Sequence, residues 1–99
     1  MNNSELVSAF ITGKKPYDYN KNHSLKYIGD TIYSYGNHFP IAKIDRENKT
    51  FIFNPARYSN TTGKHKSLVA RALHDAGYTQ IGEYIPVSRN GYHTSYELP

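Results

Sequence analysis

A chain of 99 residues has room for one domain and one modest core, a size at which roughly 65% of the surface of the unfolded chain becomes buried. Hydrophobic residues make up 37% and charged residues 20%, a balance that supports folding, and the absence of cysteine excludes disulfides, thiolate nucleophiles and cysteine-based zinc sites and fits a reducing cytoplasm. The formal charge of +4 is compatible with nucleic acid without requiring it, and with no apolar run of membrane-spanning length and no charged leader, neither membrane insertion nor secretion is expected.

The pattern predicts a single α+β domain over residues 1–99, in the order α-β-β-β-α-β-β. The sheet is expected to be small and antiparallel, a three-stranded meander plus a C-terminal hairpin, packed by one main helix and preceded by a short N-terminal helix. That first helix is expected over residues 4–12, with Leu6, Ala9 and Phe10 at helical spacing and Gly13 as its stop. Residues 14–24 read as a mobile loop carrying tyrosines and lysines, so that 1–24 form helix plus loop and 25–99 the sheet-and-helix core. Strands are expected near 25–29 or 31–35, then 39–44 and 50–53, with turns at Gly29-Asp30, Gly36-Asn37 and residues 46–49. Alternation sets Tyr33 and Tyr35 opposite Ile32 and Ser34, where they would stand in for aliphatic residues in a thin core.

The second helix is expected over residues 62–76, with Leu68, Val69, Ala72, Leu73 and Ala76 on one face, Ser59 or Thr61 as its cap and Gly77 as its end. Asn90-Gly91 predicts a two-residue hairpin turn that pairs Arg89 with Tyr92 and Val87 with Thr94, and Pro86 assigns that strand to a sheet edge.

On residue type alone, the start of the second helix is the expected working surface. Hydroxyls and cations cluster there, and the free N–H groups and partial positive charge of a helix N-terminus suit an anion. Arg57, Thr62, Lys64, Lys66 and Arg71 are the candidate residues for an anionic, nucleic-acid or protein partner, with Lys64 and Arg71 seven positions apart on one side of the helix. A second group of cations is Lys14, Lys15, Lys21 and Lys26. Ten tyrosines without a tryptophan give rings that are sticky and wettable, and Tyr17, Tyr19, Tyr92 and Tyr96 are the candidate aromatic interface residues.

Catalytic chemistry finds little support. The five histidines do not fall at metal-ligand spacings, so no metal and no cofactor is expected, and no catalytic residue is assigned. Thr61-Thr62-Gly63-Lys64 carries only a fragment of a phosphate-binding loop. His65, at the edge of the apolar stripe, is expected to be packed or hydroxyl-bonded.

Two resemblances add expectations. Ala76-Gly77-Tyr78 and Gly91-Tyr92-His93 loosely resemble the helix-strand-strand core of HicA-type interferase toxins, which would imply a ribonuclease with His93 as general acid and base; Tyr92 and Thr94 depart from that pattern. More broadly, Tyr33-Ser34-Tyr35-Gly36, Ile41-Ala42 and the Tyr-Ser-x-Thr-Thr-x-x-His motif from Tyr58 to His65 resemble a domain of unknown function found in small proteins of phages and mobile elements. The resemblance implies a host-cell cytoplasm and, from that setting, a non-enzymatic accessory protein that binds and blocks a host nucleoprotein or defence nuclease, as anti-CRISPR inhibitors do. The other reading is a DNA- or RNA-binding accessory protein. Partners expected are a host protein or nucleoprotein complex, nucleic acid, or a second copy of the chain through an edge strand, and no membrane.

Overall fold

The computed structural model describes residues 2–35, 39–56, 59–88 and 92–96. The chain is α+β. Helix α1 (Asn3–Thr12) is followed by strands β1 (Tyr17–Tyr19), β2 (Leu25–Ile28), β3 (Thr31–Ser34), β4 (Phe39–Asp45) and β5 (Thr50–Phe53), then helix α2 (Asn60–Asp75) and strands β6 (Thr79–Ser88) and β7 (Tyr92–Tyr96). The strands form one sheet in sequence order. All neighbours are antiparallel except β5 and β6, which run parallel because α2 is the crossover between them.

Both helices owe their ends to local chemistry. The Asn2 side chain accepts from Glu5 N–H while Glu5 reaches back to Asn2 N–H, a capping box that starts the helix one residue earlier than the apolar spacing alone suggests. Gly13 ends α1 in the left-handed region at φ 69°, and a Cβ there would lie 2.5 Å from Arg46 Nε. Arg46 uses that space to donate to Phe10 O (Nη2, 2.7 Å) and to Gly29 O (2.9 Å), tying the end of α1 to the sheet. At the end of α2, Gly77 is left-handed at φ 86°, Gly77 N–H donates to His74 O and Tyr78 N–H to Leu73 O, the Schellman pattern with buried Tyr78 as its apolar clasp.

The helices cover one face of the sheet. Leu6, Val7 and Phe10 of α1 and Val69 and Leu73 of α2 pack on Leu25, Tyr27, Ile32, Ala42, Ile44 and Phe51. Burial of this apolar surface, at about 25 cal/mol per Å², is the main stabilising contribution. Tyr27 packs its ring on Phe10 with centroids 5.5 Å apart, and burial of its hydroxyl pushes its pKa up. Between Ile32 and Tyr33 the β3–β4 register shifts. Asn54, fully buried, serves the strand at this irregularity: its N–H donates to Ile41 O and its Nδ2 to Pro40 O.

Several expectations change. Residues 17–19 form a paired strand rather than part of a loop, because Tyr17, Asp18 and Tyr19 find partners in Ile28, Tyr27 and Lys26. Residues 25–35 supply two strands rather than one, turning at Gly29 with φ 60°. Tyr33 is half-buried on the face away from the helices, and Tyr35, at φ 56°, has left the strand, so neither joins the main core. In the C-terminal hairpin Ser88 pairs with Tyr92 and Val87 with His93, a register one residue from that of a two-residue turn. The first half of β6 pairs with β5 and the second half with β7, so Pro86 lies where the strand has a neighbour on one side, as its missing N–H requires.

Candidate functional site

The start of α2 carries the hydroxyls of Ser59, Thr61 and Thr62, and that of Thr62 is buried. Ser59 caps the helix, accepting from Thr62 N–H at 3.1 Å and donating to Thr62 Oγ1 at 3.2 Å. Thr62 Oγ1 is 3.0 Å from Ser34 Oγ on β3, which is 2.8 Å from His65 Nδ1. This chain of four side chains ties helix to sheet. Ser34 and Thr62 are fully buried and His65 is 3% exposed, and burial holds the His65 imidazole below its ordinary pKa.

Thr62 is therefore corrected from an anion-binding candidate to a structural residue. Its hydroxyl is spent inside the core, on the same stripe that carries Val69 and Leu73 further along the helix. His65 is hydroxyl-bonded at the stripe's edge, as expected. A serine hydroxyl at hydrogen-bond distance from a histidine nitrogen is the spacing of an activated nucleophile, but a substrate cannot reach a fully buried Ser34 Oγ.

The α2 cations do not converge. Lys66 is half-buried and donates to Ala56 O at 2.8 Å, with its ammonium 5.4 Å from the Phe53 ring centroid and 5.8 Å from that of Phe39. That ammonium fastens the segment before α2 to the helix. Lys64 and Arg71 are exposed on α2. Arg57 lies outside the described residues, as do the side chains of Tyr92, His93 and Tyr96, whose backbones belong to β7.

The other side of the molecule is different. Pairs directly opposite in a sheet share a face, so the register places Tyr17 beside Ile28 and Tyr19 beside Lys26, on the face that the helices leave open. Thr31 and Lys43 continue the first row, and Tyr33 and Pro40 the second. Tyr17 (47%), Tyr19 (38%) and Ile28 (44%) are the exposed large hydrophobic side chains among the described residues, and all three are in this one patch. His23 stacks on Tyr19 with ring centroids 4.1 Å apart and 27° between planes, and Tyr17 meets Tyr19 edge-on at 5.7 Å. His23 reaches that ring from a left-handed backbone at φ 61°, in a loop held by buried Asn20, which donates to Asn3 Oδ1 and Ser24 Oγ and accepts from Leu25 N–H.

Cations flank the rings along the chain. Lys14 and Lys15 precede β1, Lys21 follows it, and Lys26 is the direct neighbour of Tyr19; Lys15 approaches Asp18 at 3.7 Å in an exposed pair. Of the interface residues expected from sequence, the structure brings Tyr17 and Tyr19 together and joins to them His23, Ile28 and Lys26. Residue type alone gave Lys26 only as one of a group of cations and missed His23 and Ile28, since the signals are a ring stack and a cross-strand pairing that depend on the existence of β1.

Among the described residues no group of three His, Asp or Glu side chains is arranged to hold a metal ion, and no helix is long and apolar enough to cross a membrane. No protein family matches the chain, and neither a curated protein nor a solved structure is significantly similar to it.

Proposed function

We propose that the chain is a non-enzymatic accessory protein of the mobile-element type, which docks on a host nucleoprotein or nucleic-acid-handling defence complex and blocks it. The observation that carries this reading is the convergence of Tyr17, Tyr19 and Ile28, with Lys26 among them, on the open face of the sheet. Exposed apolar groups scattered singly need no explanation, whereas a contiguous aromatic patch rimmed by cations has the composition of an interface centre. Tyrosine rings held by β-pairing lose little conformational freedom on binding, and the lysines supply register and speed of encounter.

Cells that each carry one active defence nuclease, challenged with phage or plasmid, test the reading. Expression of the chain should relieve restriction by at least one of them, and a folded Tyr17→Ala/Tyr19→Ala variant should not. Unrelieved restriction across the panel, or relief by the variant equal to that by the wild type, would remove the blocking role or the face assigned to it.

A further inference from the structure

The same open face carries a more specific chemistry. We infer that it takes a single-stranded segment of nucleic acid, whose bases stack on the Tyr19–His23 column and on Tyr17 while its phosphates meet Lys14, Lys15, Lys21 and Lys26. The inference rests on the docking role proposed above and names the part of the partner that the face touches.

Three observations support it. First, the rings form a started stack: Tyr19 and His23 are stacked at 4.1 Å with 27° between planes, and Tyr17 stands edge-on to Tyr19 at 5.7 Å. A base added to such a column gains stacking whatever its identity, since every base has a π-face. Second, charge is complementary to a phosphate backbone. Four lysines lie in the segment from Lys14 to Ile28 against one acid, Asp18; Lys15 is 3.7 Å from that carboxylate, which is opposite Tyr27 on the helix-covered face, while Lys26 lies among the rings. Third, the platform is a sheet face turned away from the helices, with Lys26 between Tyr19 and half-buried Tyr33 in one cross-strand row. A duplex hides its base faces and suits this surface poorly; an unpaired strand exposes them.

Purified protein should be titrated with single-stranded oligothymidine and oligouridine, a duplex of matched length, and inorganic polyphosphate. Both single strands should bind more tightly than the duplex and the polyphosphate, and any difference between them reports whether DNA or RNA is preferred. Tyr17→Ala and Tyr19→Ala should each weaken single-strand binding by about 5- to 150-fold, the range for loss of one base stack. Lys21→Gln/Lys26→Gln should lower the magnitude of the log-log salt slope by about 1.4, two phosphates at about 0.7 each. Tyr17→Leu/Tyr19→Leu keeps apolar cover while removing the rings; it should lose binding with an unchanged unfolding midpoint.

Absence of single-strand binding would overturn the inference, as would equal competition by polyphosphate, or affinity unmoved by either tyrosine variant. Should any of these occur while relief of restriction in cells still requires Tyr17 and Tyr19, the face meets protein, and the blocking role stands without the nucleic acid.

Discussion

His65 shows how one side chain couples burial to acidity. Its imidazole sits 2.8 Å from Ser34 Oγ with 3% exposure, and desolvation lowers its pKa from the ordinary value near 6.5. A lowered pKa means that the unfolded chain binds the proton more readily than the folded one. The associated stability is complete above about pH 6.5 and is lost as the pH falls through that value toward the folded pKa. Denaturant unfolding at pH 7.5, 6.5 and 5.5 should show this decline, and His65→Gln should flatten it; an equal slope in both proteins would place the linkage elsewhere. The hydroxyl chain through Ser34 and Thr62 was only half legible, since Ser59, Thr62 and His65 recur every three residues along α2. Their partner on β3 lies 28 and 31 residues away from Thr62 and His65.

At the scale of the element, α2 joins a local start signal to a packing face, and the two can be tested apart. Ser59 is the cap, so Ser59→Ala should destabilise by about 1 kcal/mol, whereas Thr61→Ala, at an exposed first-turn position outside the hydroxyl chain, should change stability little. Thermal or urea unfolding of the two variants decides this, and equal losses would reject the assignment. Leu73 is fully buried between helix and sheet. Leu73→Ala should cost about 2–4 kcal/mol through lost transfer energy and a residual cavity. An unchanged urea midpoint would mean that the stripe does not face the core. Strand β1 is the contrasting case: three residues with no apolar run of their own, formed because β2 offers a partner.

For the molecule as a whole, Lys26 and the α2 cations lie on opposite sides of the sheet. Lys64 and Arg71 are exposed on α2, above the helix-covered face, while Lys26 lies among the rings of the open face and Lys21 is exposed directly after β1. Charge reversal at Lys64 and Arg71 should therefore reduce single-strand affinity far less than reversal at Lys21 and Lys26, both variants keeping the wild-type unfolding midpoint. A larger loss from the α2 pair, read by salt-dependent titration, would return the working surface to the helix. Separation of charge in this way leaves long-range attraction to both sides but restricts close contact to the side with stacking rings.

The sequence by itself determined the features that act over a few residues. The two helices, the stops at Gly13 and Gly77, a hydroxyl cap at Ser59 or Thr61, the Val69 and Leu73 stripe and the placement of Pro86 follow from caps, periodicity and missing donors, all of which operate within a turn or two of chain. Tertiary structure alone decided what depends on distant partners. The existence of β1, the parallel meeting of β5 and β6, the turning inward of Thr62 and the engagement of Lys66 by Ala56 O are each fixed by a group elsewhere in the sequence. The tyrosines show the division most plainly: composition says that their rings suit an interface, but only strand register makes Tyr17 and Tyr19 neighbours of Ile28 and Lys26 on an open face while Tyr27, on the intervening side of β2, is sealed in the core.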